Sequence, residues 1–71
     1  MRTIDLILNG KPSQFPADQT VADLVVSLGL PGPGRGVAVA VDGEVVHHDA
    51  WTVTPLASGH RVEVLIASQG G

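Results

Sequence analysis

Two turn signals, Asn9-Gly10 and Asp42-Gly43, constrain the fold of this chain more than any other feature of its sequence. Each dipeptide supplies residues that tolerate a positive φ, which a two-residue hairpin turn of type I′ needs at both central positions. Apolar residues alternate before each turn, as they do in strands that bury one face. The sequence therefore predicts two β-hairpins, with strands at Thr3–Leu8, 11–15, Val37–Val41 and Glu44–Val46.

A single amphipathic helix is predicted between the hairpins. Thr20 and Asp23 have the spacing of a capping box, in which each side chain bonds the other residue's backbone amide. The apolar residues that follow recur at the i, i+3, i+4 and i+7 spacing of one helix face. Gly29 and Pro31 predict the end of the helix. A last alternating strand is expected at Arg61–Ile66.

The other segments indicate connections. Residues 31–36 form a loop rich in proline and glycine, and residues 47–56 are expected to be irregular, with Asp49 capping one turn around a packed Trp51. Pro12 has no amide to donate to a ladder, so the second strand should lie at a sheet edge. Residues 67–71 lack a large apolar side chain and are expected to be a loose tail.

These elements predict an α+β domain over residues 1–66, with a sheet of four to five strands and one main helix on one face. Leu, Ile, Val and Phe supply 22 of the 71 residues, enough to bury a small core. The predicted core comprises Ile4, Leu6, Leu8, Phe15, Val21, Leu24, Leu28, Val39, Val41, Val62, Val64 and Ile66.

Composition excludes several classes of function. The chain has no cysteine, which excludes disulfides, thiolate zinc sites and a cysteine nucleophile. Its net charge is −3 with four Lys and Arg residues, which makes nucleic acid a poor partner. Its longest apolar run is Val37–Val41, whereas a membrane span needs about 20 apolar residues. With no signal peptide predicted, the cytoplasm is the expected location.

Four features occur in order along nearly the whole chain: the Asn-Gly turn, the Thr-Val-Ala-Asp-Leu helix start at 20–24, the Val-Asp-Gly-Glu turn at 41–44 followed by Trp51, and Gly70-Gly71 after the last strand. Together they resemble the ThiS family of sulfur carrier proteins of thiazole (thiamine) biosynthesis. The resemblance implies a ubiquitin-like β-grasp with a mixed sheet, in which the first and last strands pair in parallel at the centre. Asp42 and His60 depart from the family's usual Asn and Asp, in turns remote from the tail.

The resemblance also implies a chemistry for the tail. The Gly71 carboxylate would be adenylated by a ubiquitin-activating-like adenylyltransferase that consumes ATP, converted to a thiocarboxylate with sulfur relayed by a persulfide donor, and used by thiazole synthase. Gln69 and Gly70 would thread into each partner's active site, where glycine gives the thinnest chain. The protein would then be a monomeric carrier, not an enzyme, with no bound cofactor or metal.

Two other functions remain open on the sequence alone. The small sulfur-carrier subunit of molybdopterin synthase is similar in fold and in its Gly-Gly end, although its members are usually longer. A ubiquitin-like binding module with an incidental Gly-Gly end is the alternative from another class.

Among polar residues, His47, His48 and Asp49 are interpreted as a solvated turn instead of metal ligands, because adjacent residues in an extended chain point apart.

One face of the predicted sheet offers a docking surface. Ile7, Ala38, Ala40 and Leu65 point away from the helix side, within a border of Asp5, Arg61 and Glu63. Large exposed apolar patches on small proteins usually mark interfaces. We therefore expect this face to dock the partner enzymes. The alternative is that Leu65 packs against the 47–56 segment.

Overall fold

The computed structural model describes residues 2–30 and 36–67. The predicted strands and helix all form, and the 47–56 segment contains a short 3₁₀ helix. In chain order the elements are β1 (Thr3–Leu8), β2 (Lys11–Pro16), α1 (Val21–Ser27), β3 (Val37–Val41), β4 (Glu44–Val46), the 3₁₀ helix (His48–Val53) and β5 (Arg61–Ile66).

The five strands form one mixed sheet in the order β2-β1-β5-β3-β4. β1 and β5 are parallel, with Leu8 opposite Val62, and every other neighbouring pair is antiparallel. β5, the last strand of the chain, therefore occupies the centre, and β2 with Pro12 lies at an edge, as the sequence predicts. The α+β class and the parallel central pair that the family resemblance implies are both confirmed.

Both hairpin turns have the backbone that the sequence predicts. Asn9 and Gly10 have φ values of 49° and 82°, and Asp42 and Gly43 have φ values of 51° and 85°. Two successive positive φ values are the signature of a type I′ turn, whose twist matches that of the flanking strands.

Helix α1 is short and is closed at both ends by its own sequence. The Thr20 amide donates to Asp23 Oδ2 at 2.9 Å, and the Asp23 amide donates to Thr20 Oγ1 at 3.4 Å, which confirms the capping box. At the other end Gly29 takes a φ of 74°, and the amides of Gly29 and Leu30 donate to carbonyls of the last turn. This is a Schellman motif, which satisfies carbonyls that the helix end leaves unpaired.

The core lies between α1 and the sheet. Its buried residues are Leu6, Phe15, Val21, Leu24, Val25, Val37, Val39, Trp51, Leu56, Val62 and Val64. Ile4, Leu8 and Val41 pack against it while partly exposed. The predicted core omitted Val25, Val37, Leu56 and Trp51, although Trp51 was expected to be packed.

Two predicted core residues are wrong. Leu28 is 41% exposed because it is the C-cap of α1, beyond the turn that packs on the sheet. Ile66 is 60% exposed, although it shares a face with Val62 and Val64. β1 ends at Leu8, opposite Val62, so β5 continues past its parallel neighbour and Ile66 has a strand on one side alone.

The 3₁₀ helix lies on the same side of the sheet as α1 and packs against it. Trp51 anchors it, being 1% exposed and donating from Nε1 to the Val46 carbonyl oxygen at 3.0 Å. The prediction that Asp49 caps this turn is wrong, since the N-cap is His47 and it makes no side-chain capping bond. The 3₁₀ helix ends at Val53, with Thr54 as its C-cap. Within the described part of the chain, no helix is both long and apolar enough to cross a membrane.

Candidate functional site

The predicted reactive tail, Gln69, Gly70 and Gly71, lies outside the described residues. The structure does describe how the chain approaches it. The Ala67 amide donates to the Gly36 carbonyl oxygen at 2.6 Å, so the sheet's hydrogen bonding continues one residue into the segment predicted as tail. Gly36 has a φ of 77°, a conformation in which any residue with a Cβ is strained.

The strand that leads to the tail is held on both sides. β3 pairs with β5 from Val62 to Ile66. On the other side, where β1 turns away, the Asn9 side chain takes the place of a strand: its Oδ1 accepts from the Val64 amide at 2.8 Å, while the Asn9 amide donates to the Val62 carbonyl at 2.9 Å. β5 is therefore bonded on both sides before the segment predicted as tail begins.

The face of the sheet opposite α1 is open. Leu65 is 66% exposed and pairs across the strands with Ala38, and Ala40 pairs with Val45. Directly paired residues point to the same face of a sheet. Ala38, Ala40, Val45 and Leu65 therefore form an apolar surface, which we call the open-face patch, near the end of β5 that continues into the tail.

The structure decides against the alternative for Leu65. The 3₁₀ helix packs on the α1 side of the sheet, and Leu65 stays exposed on the opposite side. Sequence reasoning missed Val45, although the alternation in β4 carries the signal: Val46 turns toward the core, so its neighbour must turn outward.

Ile7, the fourth predicted patch residue, is not brought together with the others. It lies across β5 from them, beside Pro12 on β2 and Arg61 on β5, and it is half-buried. Glu63 occupies the position on β5 that faces Ala40. The face therefore has an apolar end toward the tail, and its other end is crossed by charged side chains.

The family model described as the ThiS family matches residues 6–71, which is nearly the whole chain. The chain belongs to the ThiS family. Two solved structures of a thiamine biosynthesis protein from Geobacter metallireducens, one by crystallography and one by NMR in solution, are 31% identical to it with a TM-score of 0.77. Each match covers 96% of this chain, and it covers 100% of the crystallographic chain and 88% of the NMR chain. No curated protein matches.

ThiS membership and these matches identify the fold as the ubiquitin-like β-grasp and the chain as a ThiS-type sulfur carrier. The described part of this ThiS chain contains no buried polar or charged side chain.

Polar side chains near the last strand bond within the turns of this ThiS chain. Ser58 Oγ accepts from the Asp5 amide at 3.1 Å, and His60 Nδ1 accepts from the Ala57 amide at 3.1 Å. His60 Nε2 lies 4.0 Å from Asp42 Oδ2. Asp49 lies beside His47 and His48, whose ring centroids are 4.7 Å apart. The expectation that these three side chains point apart is wrong, because the chain bends into the 3₁₀ helix at His48.

Proposed function

We propose that this chain carries sulfur for the thiazole ring of thiamine as a thiocarboxylate on Gly71, the last residue of its sequence. The observation that supports this most directly is the ThiS family match, which extends to Gly71 and so includes the Gly-Gly pair. The relatives described as a thiamine biosynthesis protein favour thiazole over molybdopterin as the destination.

The proposed steps use the tail as substrate and partner enzymes as catalysts. In the adenylyltransferase, a Gly71 carboxylate oxygen attacks the α-phosphorus of ATP, and pyrophosphate leaves. The terminal sulfur of a persulfide donor then attacks the carbonyl carbon, and AMP leaves. A thiol reduces the resulting acyl disulfide, which releases the thiocarboxylate and leaves the donor in a mixed disulfide. Thiazole synthase takes sulfur from the thiocarboxylate.

The scaffold suits this role because it holds the chain firmly up to Ala67, where the amide bonds Gly36. The four residues that follow would reach about 13 Å if they were extended. A reach of this size would carry the Gly71 carbonyl away from the domain surface and into a partner. Glycines at the last two positions would pass through a channel too narrow for a side chain.

Mass spectrometry tests the proposal. The full chain is incubated with ATP, its cognate adenylyltransferase, a persulfide donor and a thiol, beside a variant that lacks Gly71. We expect the intact chain to gain the mass of one oxygen-to-sulfur exchange, located on its last residue by fragmentation. The shortened chain should gain none, with an unchanged thermal unfolding curve. If the intact chain stayed unmodified, the protein would be a binding module. If only molybdopterin synthase used the modified chain, the protein would carry sulfur for molybdopterin instead of thiazole.

We further propose that the open-face patch docks the adenylyltransferase and thiazole synthase. It lies beside the strand that delivers the tail, so a partner that binds it would receive the tail at a set distance. Exposed apolar side chains grouped on one face are typical of interfaces. At the other end of the face, Arg61 and Glu63 would form the charged border of the docking surface. Ile7 would form part of its apolar floor.

A Leu65→Glu variant tests whether the open-face patch docks the partner enzymes, with Val26→Glu as its control. Val26 is a matched control because it is 73% exposed, yet it lies on α1, on the opposite side of the sheet. Both variants should keep the wild-type unfolding midpoint. Leu65→Glu should weaken binding to both enzymes by about tenfold or more, since it places a charge in the contact, whereas Val26→Glu should not. Equal affinity of the two variants would exclude the patch as the docking surface.

A further inference from the structure

Three exposed side chains converge where β4 leads into the 3₁₀ helix. His48 Nδ1 lies 3.1 Å from Asp49 Oδ1, and His47 Nδ1 lies 3.7 Å from Asp49 Oδ2. One potential ligand atom from each of the three residues lies within 4.8 Å of the other two. The Asp49 carboxylate thus faces the Nδ1 atoms of two imidazole rings that belong to consecutive residues.

The spacing matches the coordination sphere of a transition metal. Zinc binds imidazole nitrogen and carboxylate oxygen at about 2.0–2.2 Å in a tetrahedral arrangement, which sets neighbouring ligand atoms about 3.3–3.5 Å apart. The two nitrogen-to-oxygen distances at Asp49 fall on either side of this range. Small side-chain rotations would therefore bring all three groups onto one ion.

The backbone of the cluster is already ordered. The Ala50 amide donates to the His47 carbonyl oxygen at 2.8 Å, which closes the turn that carries all three residues. On one side of the cluster Val46 pairs with Val39 in the sheet, and on the other Trp51 is buried and bonded to the Val46 carbonyl. Binding of an ion would order side chains alone, which lowers its entropic cost.

We propose that His47, His48 and Asp49 form a surface site for a divalent transition-metal ion, with two imidazole nitrogens and one carboxylate as ligands. Imidazole and carboxylate together suit borderline ions such as Zn²⁺ better than Mg²⁺ or Ca²⁺, which prefer oxygen ligands alone. Three protein ligands leave a position for water or for a group from another molecule. The site joins β4 to the 3₁₀ helix and is separate in sequence from Gly71, so it does not depend on the sulfur chemistry.

Zinc chloride titration near neutral pH tests this site in the full chain, followed by calorimetry and by NMR signals of the imidazole rings. The variants are His48→Ala and Asp49→Asn. The matched control is His60→Asn, because His60 and Asp42 form an accessible histidine–carboxylate pair without a third ligand. Asparagine in place of His60 offers an oxygen that can still accept from the Ala57 amide.

We expect saturable binding of one zinc ion that shifts the ring signals of His47 and His48. Each cluster variant should weaken binding by about tenfold or more, and His60→Asn should leave it unchanged. Zinc should also raise the urea midpoint of the wild type and not that of Asp49→Asn, because an ion that binds the folded state stabilises it. Absence of saturable binding, unchanged affinity in the cluster variants, or equal weakening by His60→Asn would each overturn the proposal.

Discussion

At the scale of single residues, Asn9 combines two tasks, one in the first turn and one in the central ladder. Its φ of 49° belongs to the left-handed region, which asparagine tolerates better than residues with larger side chains. Its Oδ1 accepts from the Val64 amide, in the strand that leads to the tail. One side chain thus shapes the first hairpin and extends the central ladder past the end of β1.

Three substitutions at Asn9 separate these tasks. Asn9→Ala should lower the free energy of unfolding by about 2 kcal/mol, since it strains the turn and leaves the part-buried Val64 amide without its acceptor. Asn9→Gly relieves the strain and should lose about 1 kcal/mol. Asn9→Asp keeps an acceptor and should remain close to wild type. Urea unfolding measures all three, and a Gly variant as stable as the wild type would show that the bond to Val64 contributes nothing.

At the scale of elements, α1 depends strongly on its ends because it has seven residues. Isolated helices of that length are not stable in water, so caps and packing must hold it. Thr20 also forms a bridge to Pro55, and the Val21 amide donates to the Thr54 carbonyl at 3.0 Å. The segment after the 3₁₀ helix is therefore hydrogen-bonded to the domain at the start of α1.

Thr20→Ala should reduce the free energy of unfolding by about 1 kcal/mol, because the Asp23 amide loses its acceptor. Thr20→Ser keeps the hydroxyl and should lose less than half of that. Urea unfolding gives the totals, and hydrogen exchange at the Asp23 amide shows whether the loss occurs at the cap. If the alanine variant unfolds at the wild-type midpoint with unchanged exchange, the capping box has no energetic role.

Elements whose signals are local could be predicted from the sequence. Alternation and the two turn dipeptides predicted four of the five strands to the residue, and the cap spacing predicted the start of α1. Leu28 and Ile66 were placed in the core because periodicity identifies a face of an element and does not show where the opposite layer ends. Asp49 was misplaced for a related reason: a 3₁₀ turn has no strong sequence signature, so its first residue was not predictable.

At the scale of the whole molecule, the features that could not be predicted from the sequence depend on contacts between residues far apart in the chain. The parallel pairing of β1 and β5 was implied by the family resemblance and not by periodicity. The register of that pair places Ile7 beside Arg61, across β5 from the open-face patch, so the predicted four-residue surface separates into two parts. The convergence of His47, His48 and Asp49 likewise follows from how Trp51 draws the chain against α1.

Trp51 tests how far the domain depends on that one contact. A domain of 71 residues has about 4–10 kcal/mol of stability, and replacing a buried Trp with Ala removes about 3–5 kcal/mol. Trp51→Ala should therefore lose from about a third to all of the free energy of unfolding at 25 °C. Trp51→Phe, which keeps an aromatic ring and loses the bond to Val46, should unfold at a lower urea concentration but remain folded in buffer.

Far-UV circular dichroism is the measurement of choice, because Trp51 is the sole tryptophan and its fluorescence disappears with it. Val53→Ala is the control, since Val53 lies on the same 3₁₀ helix with its side chain exposed and should change the free energy of unfolding by less than about 0.5 kcal/mol. If Trp51→Ala were as stable as Val53→Ala, the 3₁₀ helix would be an appendage to the domain. In that case the packing of Trp51 beneath β4 would not stabilise the sheet. The ordered backbone of the His47–Asp49 cluster would then depend on other contacts.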